Sequence, residues 1–399
     1  MKNFSVAIIG GGFSGLCLAS MLGEKYGSQI AVIEGNKRVG KKILSTGNGQ
    51  GNITNLNVSA DFYHGDKEFA EIALKRYTNT HLIEYFSSLG LLTTHNANKV
   101  YPASYQASAI LDVLRFRIED YGVSVFTECY VTSVTKAGDF IIGCSNGMQF
   151  KAKKVVFAFG GSSGAGFLTD GKSFALAKGF NHTVTDLSPS LVQLKTEREK
   201  IKGLKGVKQE AKVGLYSDKG HVCTFEGDIL FTDYGVSGNA IFSLSAYLKG
   251  IKNPTINVEF LPYISKGKLY EMLIKKCGNI TCERLLVSVL PTRLALAVLK
   301  SIDISPTQTA TCKNAQKIVG AIKCFSLDVL GTVSFECSQV TAGGIKCSEI
   351  NPHTMQSNIV KGLYVIGEAL DVDGDCGGYN LQWAFTSAAI AAEDINAKN

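Results

Sequence analysis

The sequence predicts an α/β fold in which a largely parallel sheet is interrupted by a β-rich insertion. Three observations support it: buried strands alternate with helices at both chain ends, a glycine-rich turn follows the first strand, and short alternating strands fill the middle. Because a chain of 399 residues is too long for one small core, we expect three parts. These are a discontinuous first domain of residues 1–190 plus 338–399, a barrel-like or sandwich insert of residues 191–265, and a small helical subdomain of residues 266–337.

The first element is a buried strand, Ser5–Ile9, followed through the turn GGGFSG by a helix, Phe13–Leu22. The turn has the spacing G-x-G-x-x-G between a strand and a helix, which is typical of dinucleotide-binding domains. The first glycine allows the tight turn, the second lets a pyrophosphate approach the backbone, and the third lets helix and strand pack closely. The helix N-terminus then offers unpaired N–H groups and a positive dipole end to the phosphates. The candidate contacts here are Gly10, Gly12, Phe13, Ser14 and Gly15.

A carboxylate ends the second predicted strand, Gln29–Ile33. Glu34 lies about 20 positions after the last glycine of the turn, where an acid hydrogen-bonds the ribose hydroxyls and disfavours a 2′-phosphate. Gly35 follows it as a further candidate contact. This stretch alone leaves NAD and FAD open.

Three further segments favour FAD. A polar, glycine-rich loop at residues 40–55 occupies the place where an NAD fold would continue into a helix, and it suits a cofactor that extends beyond its pyrophosphate. The strand Val155–Phe159 ends in a glycine pair, and Gly362–Glu368 is a strand that ends in a glycine and an acid expected to face the ribityl chain. The last helix opens at Gly377, and its N-terminus, directed at the flavin pyrimidine, would stabilise the reduced, anionic ring.

Most of the other candidate contacts of a tightly bound FAD come from these segments. They are Lys42, Ser45, Thr46, Gly47, Asn48, Gly49, Asn52, Val131, Ala158, Gly160, Gly161, Asp170, Gly367, Glu368, Asp371, Gly377, Gly378, Tyr379, Asn380 and Leu381.

No catalytic residue is assigned from the sequence. Tyr379 and Tyr234 are the polar aromatic side chains expected nearest the ring, and Cys376 is interpreted as a packed thiol. The histidines considered are isolated and are expected to be surface or capping groups: His95, His182 and His353. The run DVDGD at residues 371–375 resembles the start of a calcium loop, but cysteine and glutamine replace its later glycine and glutamate, so no metal is predicted.

Charge, cysteine content and hydropathy indicate which general class of protein this chain belongs to. A net charge of +7 over this length is a mild excess, and the basic runs at 151–154 and 195–208 favour solvated faces over a nucleic-acid surface. Eleven scattered cysteines without a C-x-x-C pair indicate reduced thiols in a cytoplasmic protein. The apolar N-terminus is interrupted by three glycines and no membrane-spanning stretch follows, so we expect no membrane contact. The oligomeric state, monomer or homodimer, stays open.

On these motifs the chain resembles the family of NAD(P)/FAD-dependent flavoproteins that contains aminoacetone oxidase-like enzymes and a bile-acid steroid reductase. The resemblance covers nearly the whole chain, and its most distinctive block is residues 339–389. It implies a Rossmann-like, glutathione-reductase-like three-layer domain for FAD, built from both chain ends around the insert and the helical unit. The sequence departs from the family where the usual loop Gly-Gly-Gly-Arg-Cys-Asn is Gly-Asn-Gly-Gln-Gly-Asn at residues 47–52, and at Gln193 and Asn239, where proline is common.

The leading hypothesis is an FAD-dependent oxidoreductase that acts on a small organic substrate. The chain contains no second strand-embedded G-x-G-x-x-G, so NAD(P)H would visit the flavin transiently as electron donor, or electrons would leave to oxygen. The alternatives are an FAD-dependent RNA-modifying enzyme, which the diffuse positive charge disfavours, and a non-catalytic FAD-binding redox or sensor protein, which the missing Arg–Cys pair favours.

Overall fold

The computed structural model of the chain describes residues 1–164, 166 and 168–397. Its α-helices are α1 Phe13–Tyr26, α2 Lys67–Arg76, α3 Asn79–Ser88, α4 Ala107–Asp120, α5 Phe174–Lys178, α6 Arg198–Ile201, α7 Asn239–Ser245, α8 Lys266–Ile274, α9 Cys282–Leu286, α10 Thr292–Ser301, α11 Cys312–Lys323 and α12 Tyr379–Ala397. Its strands are β1 Lys2–Ile9, β2 Ile30–Ile33, β3 Thr54–Asn55, β4 Tyr63–Gly65, β5 Thr93–Asn96, β6 Lys99–Pro102, β7 Ser124–Phe126, β8 Val131–Ala137, β9 Asp139–Cys144, β10 Gln149–Phe157, β11 Ser188–Ser190, β12 Leu194–Thr196, β13 Lys208–Ser217, β14 Gly220–Phe231, β15 Gly235–Ser237, β16 Thr255–Phe260, β17 Phe325–Thr332, β18 Val340–Ala342, β19 Leu363–Val365 and β20 Val372–Gly374.

The described chain divides into two compact units, each with its own apolar core. The first unit, here called the sheet unit, comprises Met1–Pro189 and the chain from Ser338 onwards. The second unit, here called the barrel unit, comprises Ser190–Cys337. The subdivision of residues 191–337 into separate barrel and helical domains stays a prediction.

The sheet unit is organised around a seven-stranded sheet of order β7-β2-β1-β10-β9-β8, with β19 beside β10. The strands β7, β2, β1, β10 and β19 run parallel, whereas β8 and β9 form an antiparallel extension. The parallel register aligns Ile9 with Ile33 and Phe157, and Phe157 with Val365. The loops that follow these strands therefore leave one edge of the sheet, which is where open α/β sheets bind ligands.

Continuous apolar runs form the central strands because both faces of the sheet are covered. Val6–Ile9 and Ile30–Ile33 are buried along their whole lengths, and so is most of α12. The predicted α/β fold of Rossmann type is confirmed. Helix α1 continues to Tyr26 instead of ending at Leu22. Gly23 lies within it and packs against the ring of Tyr121, where a side chain would not fit.

The barrel unit contains a closed barrel of order β12-β15-β14-β13-β16-β17 together with the helices α6 to α11. Strand β17 lies inside the range 266–337 that the sequence assigned to helices, and it closes the barrel by pairing with β16 and β12. Its buried residues, Phe325, Leu327 and Val329, alternate with exposed ones. This alternation is the strand signal that the sequence interpretation overlooked. One apolar core is shared by the barrel strands and the helices.

Candidate functional site

The turn after β1 has two closely packed glycines on either side of an open one. A Cβ atom on Gly10 would lie 2.3 Å from the carbonyl oxygen of Ala158, and one on Gly15 would lie 2.1 Å from the carbonyl oxygen of Gly10. A Cβ atom on Gly12 would meet nothing within 4 Å. The backbone at Gly12 therefore faces open space at the N-terminus of α1, as the spacing of the motif requires for phosphate. Phe13 and Ser14 begin that helix and are buried.

The carboxylate of Glu34 connects the end of β2 to this turn. Its Oε2 accepts the N–H of Gly11 at 2.8 Å, and its Oε1 accepts the backbone and side-chain N–H groups of Asn36 at 2.7 and 2.8 Å. Gly35 lies against the ring of Tyr130. Asn36 was missed by the sequence interpretation, which looked for the acid alone. The acid is therefore held at the position predicted for the ribose contact.

A polar network lies at the other end of the same sheet edge. Lys42 Nζ is 2.8 Å from Glu368 Oε2, and Glu368 Oε1 accepts the N–H of Thr341 at 2.9 Å. Thr341 Oγ1 in turn accepts the N–H groups of Ser162 and Ser163 at 2.7 and 3.0 Å. Four parts of the chain meet here, at residues 42, 162–163, 341 and 368. The sequence identified Lys42 and Glu368 but not Thr341, which links them to the loop after β10.

The glycine pair after β10 lies directly beside this network. A Cβ atom on Gly161 would lie 2.4 Å from Thr341 Oγ1 and 3.0 Å from Glu368 Oε1. Gly160 has open space apart from a methyl group of Thr169 and the carboxylate of Glu368, both more than 3.5 Å away. The glycine pair thus lies at the sheet edge beside Glu368, and its predicted contact with a cofactor stays a prediction.

The loop 43–52 is held by its own hydrogen bonds. The hydroxyl of Ser45 donates to the carbonyl of Lys42 at 2.8 Å, and that of Thr46 donates to Ile43 at 2.6 Å. Three left-handed residues follow, Gly47, Asn48 and Gly49. Asn52 is buried, and its amide donates to the carbonyls of Thr54 and Val100 at 3.0 Å each. Asn52 therefore fixes the loop onto β6, a structural role.

The departure from the family loop has a packing reason at residue 51. Gly51 has a φ of +74°, and a Cβ atom there would lie 2.8 Å from Ile110 Cδ1 and 2.9 Å from Ala107 Cα. Glycine thus lets the loop contact α4 more closely than a cysteine would. Gln50 is exposed.

The turn before α12 is fixed by residues from the N-terminal half of the sheet unit. Gly377 accepts a hydrogen bond from the side chain of Asn55 at 2.9 Å, and Gly378 packs on the backbone of Thr54. The side chain of Asn380 accepts the N–H of Gly374 at 2.8 Å and donates to its carbonyl at 2.7 Å. Gly367 lies against Ser14, so the C-terminal segments contact the first glycine turn. Leu381 is partly buried against the core.

Tyr379, the first residue of α12, is buried and has a defined set of contacts. Its ring stacks on Phe62 with centroids 4.7 Å apart, its carbonyl accepts the hydroxyl of Tyr63 at 2.9 Å, and its own hydroxyl donates to the carbonyl of Asn57 at 3.3 Å. Burial, followed by the charge of Asp375, raises the pKa of Tyr379 to about 12.

The three remaining predicted contacts, Val131, Asp170 and Asp371, have other partners. Val131 begins β8 and pairs with Cys144. Asp170 is exposed, with Lys172 Nζ 2.9 Å away and a longer bond of 3.4 Å from Tyr130. The carbonyl of Asp371 accepts the N–H of Asp66 at 2.9 Å, which joins the residue before β20 to the start of α2.

The expectation of surface or capping roles is wrong for His182. Its ring is buried, with Nδ1 3.0 Å from Glu349 Oε2 and Nε2 2.9 Å from Ser357 Oγ. His95 and His353 are exposed.

Two further residues were considered in the sequence for reactivity. Burial raises the pKa of Cys376, which keeps the thiol protonated. Tyr234 belongs to the barrel unit, where its hydroxyl donates to Gln193 at 2.9 Å.

The sequence interpretation missed a buried histidine–aspartate pair. His64 Nε2 and Asp375 Oδ1 are 2.7 Å apart, with side chains 14% and 7% exposed. The partners are 311 positions apart, so no local motif could reveal the pair.

Residues 4–394 match the family described as the HI0933-like protein Rossmann domain. The chain belongs to this family. A 3-dehydro-bile acid Δ(4,6)-reductase of Clostridium scindens is 34% identical over 398 residues, which cover 97% of each chain. A ribosomal RNA dihydrouridine synthase of Haemophilus influenzae is 30% identical over 403 residues and 98% of each chain. The predicted family and enzyme class, a flavin-dependent oxidoreductase, are thereby confirmed.

Solved structures agree on the fold. A 3-ketosteroid Δ1-dehydrogenase from Sterolibacterium denitrificans, in complex with 1,4-androstadiene-3,17-dione, covers 100% of both chains with a TM-score of 0.53. Its sequence is 11% identical to the sequence of this protein, so the likeness shows the fold alone. Within the described part of the chain, no helix combines the length and the apolar character needed to cross a membrane.

Proposed function

We propose that the protein binds FAD along the sheet edge of the sheet unit and uses it to reduce a carbon–carbon double bond conjugated to a carbonyl group in a small organic substrate. The single observation that carries the cofactor assignment is the contrast between Gly12, which faces open space, and its neighbours Gly10 and Gly15, which are packed. A glycine that only served packing would have atoms against it. The contrast fits a ligand that approaches the backbone at Gly12.

Two carboxylates suit the two sugar-like parts of FAD. Glu34 accepts three N–H groups, and an ionised carboxylate offers about four acceptor sites, so it retains capacity for one ribose hydroxyl. Glu368 is suited to the ribityl hydroxyls, with Lys42 balancing its charge. The separate positions of these acids along one edge match an extended molecule.

The N-terminus of α12 suits the pyrimidine end of the cofactor. When bound, FAD supplies the hydride-transfer chemistry, and the protein supplies binding, orientation and electrostatics. The positive end of a 19-residue helix favours negative charge close to Gly377 and Gly378. These two residues are held against Asn55 and Thr54, so the helix end is already in place before a ligand arrives.

The substrate class follows from what the two curated relatives have in common. A Δ(4,6)-reductase of a 3-dehydro-bile acid acts on double bonds conjugated to a 3-oxo group, and dihydrouridine is uridine saturated next to a ring carbonyl. Both names describe the saturation of an activated carbon–carbon double bond. We assign the small organic substrate first because the reductase relative is the more similar of these two. NAD(P)H is the proposed transient electron donor.

A second candidate is reduction of a uracil base in RNA, favoured by the Haemophilus influenzae relative. The charges of the barrel unit weigh against it, because many of its basic side chains are paired with acids. These pairs are Lys200 with Glu197, Lys205 with Asp233, Lys208 with Asp228, Lys212 with Glu226, and Lys300 with Glu199. Paired lysines offer less charge to phosphates than a continuous basic surface does.

The test begins with the absorption spectrum of purified protein before and after incubation with FAD. Anaerobic titration with NADH and with NADPH then identifies the donor by bleaching of the flavin bands. Reoxidation by a 3-oxo-Δ4,6-steroid but not by ribosomal RNA supports the small-molecule assignment, and the reverse result supports the RNA candidate. Folded protein that stays colourless with FAD contradicts the proposal.

A further inference from the structure

The His64–Asp375 pair lies immediately before the turn that leads into α12. An ionised carboxylate can only accept hydrogen bonds, so Nε2 of His64 carries the hydrogen and donates it to Asp375 Oδ1 at 2.7 Å. Both side chains are largely buried. Burial strengthens this interaction, because solvent screens it less than it screens a surface pair.

The backbone holds both partners in register. Strand β4 pairs antiparallel with β20, which places Asp373 opposite His64. The N–H of Asp375 donates to the carbonyl of Phe62 at 2.9 Å. The carboxylate therefore has a fixed position, three residues before Gly378 and four before the start of α12 at Tyr379.

The charge of Asp375 acts on groups at the start of α12. Burial and then Asp375 raise the pKa of Tyr379 to about 12. Burial raises the pKa of Cys376, Lys99 opposes the change, and Asp375 adds to it. Asp375 and Lys99 therefore act on this turn with opposite charges.

We propose that His64 is a positioning residue that holds the carboxylate of Asp375 by a hydrogen bond beside the N-terminus of α12 and thereby sets the reduction potential of bound flavin. This inference rests on the proposed function, which assigns the pyrimidine end of FAD to this helix end. Reduction adds negative charge there, and a carboxylate that lacks the hydrogen bond from His64 offsets more of the positive helix end and makes reduction harder. The hydrogen bond from His64 draws the charge of Asp375 toward β4.

The test is a double-mutant cycle of His64→Leu and Asp375→Asn. The reduction potential of each FAD-loaded variant is measured by equilibrium reduction against a reference dye. In His64→Leu, the ratio of reduced to oxidised flavin at a fixed potential is expected to fall about tenfold, which is about 30 mV for a two-electron couple. In Asp375→Asn the ratio is expected to rise by a similar factor. The double variant is expected to return to within about threefold of wild type. If the two substitutions acted only by loosening the turn, the single variants would not shift this ratio in opposite directions.

Two controls separate the loss of the hydrogen bond from a change in packing. His64→Gln keeps an N–H donor and is expected to shift the ratio less than His64→Leu. His95→Leu removes an exposed histidine from β5 and is expected to leave the ratio unchanged. Shifts of the same sign in both single variants, no shift, or loss of flavin from either one overturns the inference. Wild-type protein that fails to bind FAD contradicts the proposed function instead, so the two failures are distinguishable.

Discussion

Alanine substitutions at Gly12 and Gly15 allow the effects on FAD binding and on folding to be measured separately, because each adds a single methyl group in a different environment. Gly12 has φ −78° and ψ −170°, a conformation that alanine adopts without strain, and its methyl group would meet no protein atom within 4 Å. We expect Gly12→Ala to leave the free energy of unfolding nearly unchanged. The loss of a good N-cap costs about 0.5–1 kcal/mol, and the reduced entropy of the unfolded chain returns about 0.4–1 kcal/mol.

The same methyl group occupies the space that a pyrophosphate needs. Each lost hydrogen bond to a charged group costs about 1.5–3 kcal/mol. A loss of about 1.5 kcal/mol weakens FAD binding by at least tenfold, and a loss of about 2.8 kcal/mol weakens it about a hundredfold. Gly15→Ala is the matched control, because its Cβ would lie 2.1 Å from the carbonyl oxygen of Gly10. That variant is expected to unfold more easily even without FAD.

The assay combines urea unfolding of the apoprotein with FAD binding followed by the quenching of flavin fluorescence. The reasoning predicts a binding defect without a folding defect for Gly12→Ala, and a folding defect for Gly15→Ala. An FAD affinity of Gly12→Ala within threefold of wild type would refute it, and so would a loss of apoprotein stability equal to that of Gly15→Ala.

Three further outcomes are expected. Glu368→Gln should weaken FAD binding, measured by the same titration, while the apoprotein loses no more than about 1 kcal/mol, because its pair with lysine is partly exposed. Gly51→Cys should lower the free energy of unfolding by about 1–3 kcal/mol through overpacking against α4, whereas Gln50→Arg, at an exposed position, should change it little. Burial raises the pKa of Glu349, but hydrogen bonds from Thr183 and His182 outweigh it, so the pKa lies below its ordinary 4.5. The resulting stabilisation is present above pH 4.5 and is lost as the pH falls through the lowered value. Glu349→Gln should therefore be less stable than wild type at neutral pH and converge with it in acid unfolding curves.

The fold and the first half of the site were predictable because their signals are local. The strand, turn and helix around Gly12 lie within one continuous segment, and Glu34 follows at a spacing that the fold imposes. Strand β17 was not predicted, because its alternation was overlooked after a long helical stretch and because barrel closure depends on pairing with β12, far earlier in the chain.

The rest of the site depends on contacts between distant segments. Thr341 looks like an ordinary strand residue until the fold places its hydroxyl on the N–H groups of Ser162 and Ser163. His64 meets its partner Asp375 only because β4 pairs with β20. Composition and periodicity carry no information about contacts between distant residues. The sequence alone could therefore identify the candidate acids and glycines, but not the side chains that hydrogen-bond to their segments.

The assembly of one sheet from both ends of the chain has a consequence for biosynthesis. Strand β10 receives its neighbour β19 only after the whole barrel unit has been translated, and α12, which covers α1, is made last. The N-terminal glycine turn is therefore made well before β19 and α12, which complete its packing. The barrel unit between them has a core of its own and can fold first. A cofactor held by segments from both ends of the sheet unit would therefore be acquired only after β19 and α12 have been made.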